Sequence, residues 1–103
     1  MAGKIRVRAS LNGDKCEVKA LMRHPMETGM RKDAQGNQIP AHFIKEVVAK
    51  VGDRVVMQAH WGAAVSQNPF LGFEFTGAKA GDVVVISYVD NKGETDDGSA
   101  TVK

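Results

Sequence analysis

From Lys4 to Leu11 polar and apolar residues take strict turns, Ile5, Val7, Ala9 and Leu11 against Lys4, Arg6, Arg8 and Ser10. A period of two suits a strand with one buried face and no helix. Asn12-Gly13 follows as a hairpin signal. The alternation then resumes with Cys16, Val18, Ala20 and Met22 on one face and Lys15, Glu17 and Lys19 on the other, while Leu21 breaks the pattern on the polar side. The same period returns over 54–61, with Val55, Met57, Ala59 and Trp61 in phase, and again at Leu71, Phe73 and Phe75. Residues 82–90 are apolar on both faces, as a central strand is. A polar last strand is expected over 94–102, with a break at Asp96-Asp97-Gly98.

One segment carries two signals. Ile44, Val47, Val48 and Val51 have helical spacing, but the stretch is rich in β-branched residues. It also runs straight into Val51-Gly52-Asp53-Arg54, a two-residue turn with glycine leading. A strand over 42–51 is the expectation. About seven short strands separated by turn residues predict an all-β chain, one immunoglobulin-like β-sandwich over residues 1–103 with one long structured loop. The chain has a single cysteine, so the Cys…Trp…Cys pattern of antibody domains is missing.

The exception to the strand pattern is residues 24–44. Two histidines, two methionines, mixed charges, two glycines and two prolines share a connection far longer than a strand pair needs. Met22 before it and Ile39, Phe43 and Ile44 within its end are apolar anchors, and Pro25 and Pro40 stiffen both arms. A tight turn is expected at Gln35-Gly36-Asn37. Met26 and Met30 offer adaptable contact area, and Glu27 and Arg31 offer charges that orient a partner. With His24, His42 and Phe43 they form the expected partner-docking surface.

The net charge of +2 is too small to mark a polyanion binder. Its distribution is uneven: ten Lys or Arg face five acids up to Lys50, and four face seven beyond it. That asymmetry favours charged protein partners over nucleic acid. No apolar run is long enough for a membrane span, and the N-terminal residues lack the apolar core of a secretory leader. One cysteine does not select a redox compartment.

Candidate chemistry is sparse. His24, His42 and His60 are spaced eighteen residues apart, which matches no compact zinc pattern. His24-Pro25-Met26 and His42-Phe43-Ile44 are similar to two ligand segments of superoxide reductases, whose non-haem iron is held by four histidines and one cysteine. The late Cys-x-x-His element of that family is absent here, so no metal and no cofactor are expected, and an iron redox domain is the alternative reading. Met26 and Met30 alone are a poor copper(I) site. Cys16 is in phase with core residues and reads as a small buried hydrophobe. No nucleophile motif, phosphate loop or paired acid–base constellation is visible, so no enzyme is expected.

Four segments in order carry a second resemblance: 24–29 from His24-Pro25 to Gly29, 39–44 with Pro40 and His42, Ala59-His60-Trp61-Gly62 with Ser66, Asn68, Pro69 and Phe70, and Asp90-Asn91-Lys92-Gly93. Together they resemble the SoxZ family, the Z subunits of the sulfur-oxidation (Sox) carrier complex. That resemblance spans Ile5 to Val102. It implies a non-catalytic immunoglobulin-like subunit that pairs with a SoxY-type subunit. The partner carries thiosulfate and its oxidation intermediates on a cysteine in a glycine-rich arm. It further implies transient docking to cytochrome, hydrolase and dehydrogenase components. A periplasmic location is implied too, with export alongside a signal-bearing partner.

Overall fold

The computed structural model describes residues 5–103. Seven strands form two antiparallel sheets, with no helix among the described residues: β1 (Ile5–Asn12), β2 (Lys15–Met22), β3 (Ile44–Val51), β4 (Arg54–His60), β5 (Phe70–Thr76), β6 (Val83–Asp90) and β7 (Thr95–Thr101). One sheet runs β1-β2-β5 and the other β4-β3-β6-β7. The architecture is the all-β immunoglobulin-like sandwich the alternation predicts.

Both tight hairpins use the same device. Asn12 pairs with Lys15 and Val51 with Arg54, leaving Gly13-Asp14 and Gly52-Asp53 as two-residue loops. Gly13 (φ 66°) and Gly52 (φ 59°) stand at the first loop position, where a twisted hairpin demands positive φ. The inward faces meet as one core in which Cys16, Val18, Met22, Ile44, Val47, Val84 and Ile86 are almost fully buried. The 42–51 segment is a strand, beginning at Ile44; packing between Ala49, Met57 and Ile86 overrides its partial helical spacing.

Three expectations change. Val55 is 51 % exposed and does not share a face with Met57 and Ala59. The register shifts between Ala49 and Lys50, so Met57 pairs with Ala49 and Val55 with Lys50; Val56 is the extra residue of a β-bulge. On β6, Val84, Ile86 and Tyr88 are buried but Val83 and Val85 remain exposed, so this strand is central in its ladder yet covered on one face only. β7 passes through Asp96-Asp97-Gly98 without a break. Gly98 is there because β1 crosses it: a Cβ would lie 2.6 Å from the Ile5 carbonyl oxygen.

That crossing closes one side of the sandwich. The Leu11 amide donates to the Lys103 carbonyl at 2.9 Å, and the Lys103 amide donates back to Ala9 at 3.2 Å. The outer edge of β1 is thereby covered.

Candidate functional site

The long connection between β2 and β3 is ordered by its own polar groups. Glu27 and His42 exchange backbone hydrogen bonds of 2.7 and 3.0 Å, bringing the two arms together. Further out Lys32 bridges Gln38, and the Gln38 side-chain Nε2 donates to the Gly29 carbonyl. Asp33 builds the tip. Its carbonyl accepts from the Gly36 amide, and its carboxylate accepts from the Gln35 and Asn37 amides at 2.9 Å each. The turn therefore falls one residue earlier than Gln35-Gly36-Asn37, because the Asp33 side chain caps it.

At the base of the arms the geometry is tighter. The Met26 amide donates to His24 Nδ1 at 3.1 Å. With Nδ1 accepting, the neutral ring carries its hydrogen on Nε2, which donates to Asp90 Oδ2 at 3.2 Å. His42 Nε2 donates to the same oxygen at 2.7 Å and lies 3.1 Å from Glu94 Oε1. The rings of His24 and His42 meet edge to face at 4.5 Å, and Tyr88 packs on His24 in the same way at 5.6 Å. The other Asp90 oxygen accepts from the Lys92 and Glu94 amides at 3.0 and 2.9 Å.

Asp90 is 2 % exposed. Burial by itself would raise its pKa, since a carboxylate loses solvation in the core. The hydrogen bonds from His42, the Glu94 amide, His24 and the Lys92 amide outweigh that and hold it down at about 2. The carboxylate is therefore a buried anion satisfied by four donors.

Asn91 and Asn68 extend the lock. Asn91 accepts from the Phe43 amide at 2.8 Å, donates to the Ala41 carbonyl at 2.9 Å, and its own amide donates to Phe43. Asn68, at φ 50°, accepts from the His24 amide at 3.1 Å and donates from its backbone back to His24 at 3.0 Å. Sequence reasoning missed Asp90, Asn91 and Asn68 as site residues. The signal was present in the Asp90-to-Gly93 and Asn68-Pro69 segments, which entered there only as segments of the family resemblance.

The structure divides the seven expected docking residues. His24 and Met26 are buried, at 4 % and 5 % exposure, so neither offers surface to a partner. Met26 adopts φ 48°, rare for a side chain of its size. It is held there by its amide on His24 and by its sulfur, which accepts from the Ile44 amide at 3.4 Å. His42 and Phe43 are half-buried at the base of the loop. Glu27 is tied to Arg31 by a two-point ion pair of 2.9 and 2.6 Å. Of the seven, Met30, 84 % exposed, and Arg31 are the ones open to a partner.

His24, His42 and Asp90 offer ligand atoms within 4.8 Å of one another, the one such group of three among the described residues. They do not fit a metal. A histidine that ligates through one nitrogen donates a hydrogen bond from the other. Here His24 Nδ1 is an acceptor from a backbone amide, so its Nε2 keeps the proton a metal would displace. His60 and Cys16 do not join the group. The His60 side chain is 75 % exposed beside Glu46, and Cys16 lies six residues up β2 from Met22, about 20 Å of extended chain. Cys16 is fully buried, and burial with the nearby Asp82 carboxylate raises the pKa of its thiol.

The fold and this lock describe an immunoglobulin-like domain whose long loop is fastened to the turn after β6, without an accessible nucleophile in the lock. A family model described as sulphur oxidation protein SoxZ matches residues 5–101. The chain belongs to the SoxZ family, and so to the sulfur-oxidation (Sox) system. No curated protein sequence matches it. Among solved structures, a superoxide reductase (neelaredoxin) from Archaeoglobus fulgidus in its reduced form is similar, with a TM-score of 0.61 and 20 % identity over 97 % of this chain and 86 % of that one. At that identity the likeness concerns the fold.

Proposed function

We propose that the chain is the non-catalytic scaffold subunit of a covalent sulfur carrier, paired with a SoxY-type subunit that bears the carrier cysteine. One observation carries this beyond family membership. Covalent loading of sulfur requires a thiolate that reagents can reach. The single cysteine here, Cys16, has no exposed surface, and its thiol is pushed toward the protonated form. This supports a partner as the source of the reactive thiol, with this chain contributing shape and surface.

The exposed end of the loop, with Met30 and Arg31, is suited to presenting the pair to the cytochrome, hydrolase and dehydrogenase components of the pathway. The family resemblance supports a periplasmic setting. The test is to co-express the two subunits, load the pair with thiosulfate under pathway oxidation, and weigh each subunit by mass spectrometry. The adduct is expected on the partner alone, and Cys16→Ala is expected to leave loading unchanged. A sulfur adduct on this chain, lost with Cys16→Ala, would overturn the assignment.

A further inference from the structure

The outer face of the β1-β2-β5 sheet is built against its own stability at one end. Strand register sets Arg6 opposite Leu21 and Leu21 opposite Phe70; the next row sets Arg8 opposite Lys19 and Lys19 opposite Gly72. Leu21 is 44 % and Phe70 64 % exposed, and all three cations are exposed. Among the described residues none of the three makes an ion pair. Like charges placed directly opposite on neighbouring strands repel, and Arg8 faces Lys19; Glu17, one row on and lining the same recess, offsets only part of that repulsion. An acid at either position would remove it.

The apolar pair beside them is presented, not folded away. Gly72 leaves room for the Phe70 ring to lie over it, a Cβ there standing 3.4 Å from Phe70 Cε2. A groove of about 570 Å³ opens at this end of the sheet, where Arg6, Arg8, Lys19, Leu21 and Phe70 meet inner-face residues of β1 and β2 and Ser99 of β7. An aromatic and an aliphatic side chain beside three exposed cations that make no ion pair is the composition of a protein interface centre with a charged rim. The early excess of Lys and Arg in the sequence thus becomes local: part of it is this rim.

We infer that this face docks an apolar, carboxylate-rimmed surface of a protein partner. Resting on the reading above, that partner is the thiol-bearing carrier subunit. A nucleic acid suits the face less well, because Glu17 and Glu74 pair across the very next row and interrupt the positive track.

The experiment titrates the purified carrier subunit into this chain by calorimetry, at about 0.05 and 0.5 M salt. Three variants run beside the natural chain: Leu21→Ser with Phe70→Ser, Arg8→Glu with Lys19→Glu, and Val83→Thr with Val85→Thr on the other sheet. The first two are expected to weaken binding by roughly 10-fold or more, and the charge variant to remove most of the salt dependence. The Val83/Val85 variant is expected to bind as the natural chain does. Thermal midpoints confirm that each variant folds. If the natural chain binds and neither face variant weakens it, the functional reading stands and this surface assignment falls. The assignment also falls if the Val83/Val85 variant alone loses binding. A natural chain that does not bind the carrier subunit sinks both. Tighter binding of a single-stranded oligonucleotide, lost with Arg8→Glu and Lys19→Glu, would replace the protein partner with a nucleic acid.

Discussion

Asp90 receives four donated hydrogens in a space almost closed to water, and its two oxygens do different jobs. One anchors the β6–β7 turn through backbone amides, while the other gathers both loop histidines. Asp90→Asn keeps the shape but must aim an NH₂ either at the two histidine donors or at the two amides. His42 can change tautomer to accept it; His24 cannot without losing the Met26 amide. The substitution is expected to cost about 2–4 kcal/mol in urea unfolding, and a loss under about 0.5 kcal/mol would show the lock to be slack. The pH dependence has a definite sign. The folded value of about 2 lies below the ordinary 3.8, so the contribution is whole above roughly pH 4 and is lost as pH falls toward 2. About 2 kcal/mol is at stake. Unfolding midpoints at pH 4.5 and 2.5 should differ more for the natural chain than for Asp90→Asn; parallel behaviour would remove Asp90 from the acid response.

At the scale of elements, two positions separate packing from display. Gly98 on β7 lies under β1, and the atom an added methyl would strike is the Ile5 carbonyl oxygen, which cannot rotate aside. Gly98→Ala is expected to destabilise by about 1–3 kcal/mol, although β7 is otherwise polar and half-exposed. Unchanged stability would mean β1 moves off freely. In the long loop, Met30→Ser with Arg31→Ser should leave the thermal midpoint nearly unchanged, because exposed ion pairs and side chains contribute less than about 0.5 kcal/mol each. Met26→Ser should cost about 2–4 kcal/mol, since it empties a buried site and takes the sulfur acceptor away from the Ile44 amide. Equal effects from the two variants would contradict the division of the loop into a buried base and a displayed end.

For the whole molecule, the tautomer of His24 predicts indifference to metals. Zinc or iron added in slight excess should leave the thermal midpoint where it is, because only a ligand of the native state raises it. A rise of several degrees, abolished by changing His24 and His42 to Ala, would reverse the assignment of the cluster. The chain announces its fold through local rules. Alternation along residues 5–11 and 15–22, the glycine-led turn at Gly52-Asp53 and the inward phase of Cys16 depend only on near neighbours, and each is realised. The loop's extent was legible for the same reason. What residues 24–44 are for was not. The acid that holds both histidines is 66 residues from one and 48 from the other, and nothing short-range in Asp90-Asn91-Lys92-Gly93 distinguishes a turn from a lock. The bulge at Val56, the seat of Gly98 under β1 and the burial of Met26 were likewise decided only when distant segments met. Backbone period and turn geometry are properties of neighbouring residues and can be read in order. Which polar groups find each other in the interior depends on how two sheets and two loops close over them, and the tertiary structure alone decided that.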